Sequence, residues 1–371
     1  MREKFGGSGL EYRERTDNEL LEEIPARLLK WYDGCARVLP WRENPTPYRV
    51  WVSEIMLQQT RVEAVKPYYE RFLSSLPTVK ELAEAPEEQL LKLWEGLGYY
   101  NRVRNLQKGA QRVVEEYGGE IPGSFEELRA LPGIGEYTAG AIASIAFGIP
   151  VPAVDGNVLR VFSRLLARED DILDPNVKKR MGQEISKLIP HDRAGDFNQS
   201  LMELGATVCL PNGAPKCGEC PLRELCRAHR LGNEESLPKK SAKKARKIEE
   251  RTVFLLTCRG KIALCKRPEK GLLAGMWELP GAAGKLDETG AAEQVKAWGL
   301  QAQKLKKLPA AKHIFTHVEW RMVGWAGEVK EEVPDFLWAS GEELAEKYAL
   351  PSAFRAYFPE MEQRLKQGGN H

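Results

Sequence analysis

The chain lacks an apolar N-terminal segment. Residues 1–17 are charged and contain glycine, without the hydrophobic core that a signal peptide needs. It also lacks an apolar run of membrane-spanning length, since the longest candidate, residues 139–154, is interrupted by Gly148, Pro150 and Pro152. These two absences lead to the expectation of a soluble cytoplasmic protein. Net charge is scarce, with 55 Lys and Arg against 53 Asp and Glu. Such a balance neither demands nor forbids a polyanionic partner, because a basic face can be hidden in a neutral total. Cysteine is sparse too, and four of the seven are bunched, which argues for a metal rather than a secreted disulfide framework. No internal repeat is found.

At 371 residues the chain exceeds the usual single core, so two or three domains are expected. Helical periodicity with short breaks dominates residues 18–201, in segments 20–32, 50–65, 78–85, 88–93, 101–117 and 125–130. Past Cys226 a polar stretch leads to Lys239, Lys240, Lys243, Lys244, Arg246 and Lys247. This stretch reads as a solvated linker, with contact to DNA phosphates as the alternative. Composition changes at Arg251, where 252–258 and 261–265 read as strands paired across Arg259-Gly260, 313–318 and 320–326 as later strands, and 289–298 as a helix. The expected division is a flexible N-terminus (1–17), an all-α domain (18–230), a basic linker (231–250), an α+β domain (251–362) and a flexible C-terminus (363–371).

Residues 131–157 carry the most information. Gly133 and Gly135 allow a tight hairpin with positive φ and close backbone approach, and the small residues that follow open a helix whose free N–H groups suit a phosphate. A Gly/Pro-rich loop then delivers a single carboxylate, Asp155, beside an apolar segment. A second lone acid, Glu54, sits in the apolar helical run 50–57; burial would disfavour its charged form and keep it protonated near neutral pH, as a general acid requires. Cys209, Cys217, Cys220 and Cys226 follow the spacing C-x7-C-x2-C-x5-C. Four thiolates so close suit zinc or an iron–sulfur cluster, although the two separated knuckles of a zinc ribbon are missing. Cys35, Cys258 and Cys265 are expected to be buried apolar residues.

The hairpin, helix, Gly/Pro loop and Asp155 together resemble the helix-hairpin-helix, Gly/Pro-Asp core of the base-excision DNA glycosylases. With Glu54, Tyr137 and the four cysteines added, residues 18–359 resemble the MutY-type adenine DNA glycosylases. The resemblance implies excision of adenine paired with 8-oxoguanine or guanine in double-stranded DNA. The enzyme would be a monomer, nucleoid-associated, with Glu54 as general acid and base and Asp155 stabilising or transiently bonding the oxocarbenium-like sugar. Bifunctional relatives carry a Schiff-base lysine two residues past the second hairpin glycine. Here that position is Tyr137, so a monofunctional enzyme is implied. Tyr137 and Asn157 are expected to hydrogen-bond near Asp155 and the attacking water. By the same resemblance Arg37, Leu39, Trp41, Val62, Gln199 and Met202 would line the adenine pocket. Leu57, Gln59 and Tyr99 would fill the vacated stack, with Thr60 near the lesion, and Gly133 and Gly135 would grip the backbone. Phe315, Thr316 and His317 resemble the lesion-reading loop, with Thr316 where many members have Ser. The cysteines resemble the family's 4Fe-4S loop, one residue longer in its first spacer.

The C-terminal part also resembles a Nudix fold through 266–268 and 275–281, yet lacks the Arg-Glu-x-x-Glu-Glu helix that holds a divalent metal. It is expected to bind rather than hydrolyse. The rival readings are a mismatch-specific thymine DNA glycosylase, a non-catalytic lesion-binding module and a nucleotide pyrophosphohydrolase. One prediction needs only purified protein: it should be brown, with broad visible absorption and bound iron, and Cys220→Ala should lose both. A colourless preparation carrying zinc would contradict the cluster.

Overall fold

The computed structural model describes residues 16–242 and 245–368. Residues 1–15 and 369–371 of the expected flexible termini, and Lys243 and Lys244 of the linker, lie outside the described residues. Helices α1 (Asp17–Glu22), α2 (Ile24–Cys35), α3 (Pro40–Glu43), α4 (Pro47–Leu57), α5 (Val62–Ser75), α6 (Val79–Glu84), α7 (Glu87–Leu93) and α8 (Asn101–Tyr117) come first. They are followed by α9 (Phe125–Ala130), α10 (Glu136–Phe147), α11 (Gly156–Leu165), α12 (Pro175–Ser186), α13 (Ala194–Thr207) and α14 (Arg227–Leu231). Strands β1 (Lys247–Cys258), β2 (Lys261–Lys266), β3 (Trp277–Glu278) and β4 (Gly281–Ala283) precede α15 (Glu288–Ala297). Then come β5 (Lys306–Ile314), β6 (Val318–Glu328), β7 (Leu337–Ala339), α16 (Gly341–Glu346) and α17 (Phe358–Gly368). No helix among the described residues is long and apolar enough to cross a membrane.

Two compact units result: one takes the residues up to Glu54 with Glu120–Ser241, the other Ile55–Gly119 with the residues from Ala242 on. In the first, α1, α2, α11, α12 and α13 close on a core that includes Leu28, Val158, Phe162, Ile185, Phe197 and Leu201. Side chains start the helices. Thr16 and Glu19 form a capping box, Ser124 caps α9, and Asp155 caps α11 by accepting from the N–H groups of Asn157 and Val158. Within this core α10 meets the loop before Asp155 so tightly that a Cβ on Gly140 would lie 2.2 Å from the Pro152 carbonyl oxygen.

The second unit joins α5–α8 to a mixed sheet. Its strand order is β3-β2-β1-β6-β5, with β4 on β1 and β7 on β2. Strands β1 and β6 run parallel from Lys247 opposite Val318 to Thr257 opposite Glu328. The period-2 pleat of β1 sends Val253 and Leu255 to one core with Trp320, Phe354 and Tyr357, and Phe254 and Leu256 to another with Ala291 and Val295 of α15. Arg259 and Gly260 both take positive φ, as a two-residue hairpin turn requires. The stretch Ile55–Gly119 groups with this sheet through hydrogen bonds that no local pattern reveals, including Lys92 Nζ to the Leu344 carbonyl (2.7 Å) and the Leu350 N–H to Glu95 (2.7 Å).

Several boundaries differ from the sequence expectation. The segment 20–32 breaks at Glu23, and 50–65 breaks after Leu57. Residues 313–318 are not one strand but the hairpin joining β5 to β6. Much of the expected linker is tied down. Lys239 bridges Asp171, the Ser241 N–H reaches Asp171 (3.1 Å), Arg246 donates to the Phe315 carbonyl (3.1 Å), and Lys247 already belongs to β1. Residues 363–368 complete α17, and Asp17 opens α1, where flexible ends were expected. Gly133 has φ of 77°, but Gly135 is the extended N-cap of α10 at φ −90°, so only the first glycine needs left-handed freedom. Cys35, expected to be buried, is exposed at the end of α2, where residues 33–36 all face solvent; Cys258 is buried and Cys265 half-buried.

The Gly140 contact gives a stability test. Gly140→Ala must push α10 off the Gly/Pro loop and should cost about 1–3 kcal/mol, read as a lower urea midpoint at unchanged slope.

Candidate active site

Asp155 is held from three directions. Its Oδ1 accepts the N–H groups of Asn157 (2.9 Å) and Val158 (2.8 Å), and its Oδ2 accepts from Asn157 Nδ2 (2.7 Å). Burial raises its pKa, and these hydrogen bonds pull it back. Asn157 is fixed in turn: its Oδ1 accepts from Arg160 Nη2 (2.9 Å), and α13 passes so close that a Cβ on Gly205 would sit 2.5 Å from the Asn157 Cβ. Buried Asn198 pins the preceding loop, accepting from the Ala153 N–H (3.0 Å) and donating to the Val151 carbonyl (2.8 Å).

Glu54 points from α4 into a region where it is only 6% exposed. Burial pushes its carboxyl up to about 7; the Tyr137 hydrogen bond opposes the rise and the Asp155 charge adds to it. Tyr137, at the start of α10, donates to Glu54 Oε2 at 2.6 Å and lies 3.1 Å from the Met202 sulfur. Tyr137 lies near enough to Asp155 to feel its charge, as expected, while its hydroxyl, at the first turn of α10, donates to Glu54 of α4. An open pocket beside Tyr137 is lined by Phe125, Val151, Pro152 and Val154, by Lys178 and Lys179 of α12 and by Lys187 just past its end.

Leu39 and Trp41 are buried, and Gln199 and Met202 lie half-buried on α13. Between them sits a carboxylate that the sequence reading passed over. Glu203, 1% exposed, accepts from Arg37 Nη2 and Arg42 Nη2, each at 2.9 Å, and Arg42 Nε reaches Gln199 Oε1 at 3.1 Å. The two guanidinium groups outweigh the burial and lower the Glu203 pKa. Its signal was available, since Glu203 is a lone acid in an apolar helical run, as Glu54 is.

In the second unit Val62 opens α5, Leu57 is the last residue of α4, and Gln59 and Thr60 lie in the turn between them. Gln59 (φ 58°) and the half-exposed Tyr99 (φ 49°) both take left-handed backbone. The Tyr99 hydroxyl lies 3.3 Å from the Thr316 hydroxyl. Phe315 stacks edge-on with Trp320 at 4.8 Å, anchoring the turn and leaving Thr316 and His317 exposed.

The chain is 37% identical to the adenine DNA glycosylase of Homo sapiens, spanning 89% of this chain and 73% of that protein. It belongs to the adenine DNA glycosylase family. The counterpart from Rattus norvegicus is 36% identical, covering 89% of this chain and 77% of that one. Residues 52–191 match the HhH-GPD superfamily of base excision DNA repair proteins, and 252–360 match a NUDIX domain. A thermostable thymine-DNA glycosylase of known structure superposes with a TM-score of 0.52 at 28% identity, over 58% of this chain and 98% of that one. This glycosylase is thus a DNA N-glycosylase, with helix-hairpin-helix and Nudix-like parts.

Its four cysteines are free thiols gathered after α13, all half-buried. Burial pushes the Cys220 thiol up to about 12, and Cys209, Cys226 and Cys217 lie close enough to add to the rise. Arg164, 3% exposed, places Nη1 3.3 Å from the Cys209 sulfur. A convergent thiol set with a buried cation against it fits an anionic thiolate-bound metal centre. The segment between Cys209 and Cys217 is held by hydrogen bonds from Arg164 to the Leu210 carbonyl (2.8 Å) and from the Lys216 N–H to the Val208 carbonyl (2.9 Å).

Glu54 has a stability consequence with a definite sign. Its folded pKa of about 7 exceeds the ordinary 4.5, so the folded state binds the extra proton, and stability falls as pH rises between those values. Above that window the cost of burying the charge is complete, on the order of 3 kcal/mol. Glu54→Gln should therefore unfold at higher denaturant than the parent near pH 8 and lose that advantage near pH 4.

Proposed function

We infer that this glycosylase flips adenine paired with 8-oxoguanine, or with guanine, out of double-stranded DNA and hydrolyses its N-glycosidic bond. It acts as a monofunctional enzyme and as a monomer. The observation that carries the reading is the buried Glu54 carboxyl, raised to about 7 and hydrogen-bonded to Tyr137. At neutral pH a large share of it holds a proton to give to an imidazole nitrogen of the departing adenine. Asp155, its oxygens already aimed by Asn157 and Val158, stabilises or transiently bonds the anomeric carbon as the base leaves. Glu54, now a carboxylate, takes a proton from the attacking water. Tyr137 offers a phenol where a Schiff-base enzyme needs an amine, which supports hydrolysis without strand cleavage.

Arg37, Leu39, Trp41, Val62, Gln199 and Met202 are assigned to the adenine pocket, with Glu203 and Arg42 fixing the Arg37 guanidinium. Leu57, Gln59 and Tyr99 replace the flipped base in the stack, and Thr60, Phe315, Thr316 and His317 read the lesion. Gly133 and Gly135 hold phosphates at the start of α10, beside the lysines of α12. Cys209, Cys217, Cys220 and Cys226 would hold a 4Fe-4S cluster. Bound there, the cluster supplies a redox-capable, anionic cross-link among the four thiolates.

Single-turnover release from duplexes with adenine opposite 8-oxoguanine, guanine or thymine, beside thymine opposite guanine, tests the reading. Strand scission should need alkali and be fastest for adenine opposite 8-oxoguanine. Glu54→Gln should lose excision by about 10²–10⁴-fold while still binding the duplex. Release of thymine alone would move the enzyme to the thymine class, and full turnover by the Gln variant would remove Glu54 from the chemistry.

A further inference from the structure

Arg102, the second residue of α8, is a half-buried cation with no carboxylate partner among the described residues. Its guanidinium instead collects acceptors from two loops about forty residues apart in sequence. From one side, Nη1 donates to the carbonyls of Ile55 (2.8 Å), Met56 (3.0 Å) and Gln58 (2.6 Å), and Nη2 reaches Thr60 Oγ1 at 3.3 Å. From the other, Nη2 donates to the carbonyls of Leu97 and Gly98, both at 3.1 Å. The planar group also lies over the rings of Trp94 (5.3 Å) and Tyr99 (5.6 Å).

Both loops hold conformations that L-residues resist. Gln59 and Tyr99 carry positive φ, and Gly96 and Gly98 beside Tyr99 do so as well. The carbonyls of Ile55 and Met56 end α4 and have no partner inside that helix. A forked donor set on a single rigid plane satisfies them and fixes the spacing between the loops. An ammonium, with three donors on one atom, cannot span the same acceptors.

We propose that Arg102 is the positioning residue that holds Gln59 and Tyr99 at the separation needed to enter the base stack as adenine leaves it. This rests on the reading above that those two side chains fill the vacated space. Arg102 touches neither the reacting atoms nor the base; it sets the geometry of the groups that extrude it. Its loss should be felt only where extrusion has to be driven, because a base already out of the stack spares the enzyme that cost.

The test compares two substrates in the full-length protein: adenine opposite 8-oxoguanine in an intact duplex, and adenine in a single-nucleotide bulge, already unstacked. Arg102→Lys keeps the charge and loses the fork, and Arg102→Gln loses both. For each variant that retains the parent's unfolding transition, single-turnover excision from the duplex should fall roughly a hundredfold. Excision from the bulge should stay at the parent rate. Equal losses on the two substrates, or no loss on either, would overturn the positioning role. Should Arg102→Gln fail to fold, the Lys variant decides alone. The combined Gln59→Ala and Tyr99→Ala change separates the premise: if it leaves duplex excision intact, the assignment of those side chains to the stack fails, whatever Arg102 does.

Discussion

The hydrogen bond from Tyr137 to Glu54 is the constraint on which the rest of the site depends. A carboxyl buried among apolar groups either binds a proton or finds a cation, because the interior solvates charge poorly. A lysine at the hairpin position would supply that cation, drive Glu54 to its ionised form and create a nucleophile. Tyr137 does neither. It donates one neutral hydrogen bond at 2.6 Å, which moderates the burial effect and leaves the carboxyl near 7, balanced between acid and base. One side chain thereby sets both the protonation of Glu54 and the absence of an amine.

What was legible in the sequence was what local chemistry writes there. Asp155 announced itself through a Gly/Pro loop, the cysteines through spacing, and β1 through an apolar run that pairs across Arg259-Gly260 with β2. A lone acid in an apolar helical run signals burial, and both Glu54 and Glu203 are buried. Glu203 escaped attention because its meaning lies in Arg37 and Arg42, more than 150 residues away. Arg102 was opaque for the same reason: its acceptors are backbone carbonyls, which leave no trace in residue identity. Tyr137 was expected near Asp155, whose charge does reach it, but the hydrogen bond that ties its phenol to Glu54 could not be read from spacing. The joining of Ile55–Gly119 to the C-terminal sheet likewise rests on scattered side chain–backbone bonds.

Buried and half-buried guanidinium groups recur wherever segments must be held in register. Arg102 ties two loops, Arg37 and Arg42 share Glu203, and Arg160 and Arg164 on α11 are 4% and 3% exposed. Apart from the unpartnered Nε of Arg102, each spends its donors chiefly on carbonyls or on a single carboxylate, so a matching number of buried anions is not needed. This explains how a chain with net charge of only +2 keeps cations in its interior and lysines such as Lys178, Lys179 and Lys187 on an open pocket. The overall charge balance therefore says little about the DNA-facing surface.

Arg160 shows why a cysteine loop matters to a site it does not touch. Its Nε donates to the Cys209 carbonyl (2.8 Å), and its Nη2 donates to the Gly205 carbonyl (2.8 Å) and to Asn157 Oδ1 (2.9 Å). Asn157 in turn donates to Asp155 at 2.7 Å. A continuous chain of hydrogen bonds therefore runs from the backbone of the first cysteine to the carboxylate at the start of α11. The links are buried or half-buried, so a partner lost from the chain would leave a poorly solvated polar group. Gathering the four thiols fixes the Cys209 carbonyl, which fixes the guanidinium, which leaves Asn157 one orientation. The amide then presents its NH2 to Asp155 rather than its oxygen. On this geometry the cysteine loop decides which way the Asn157 amide faces Asp155.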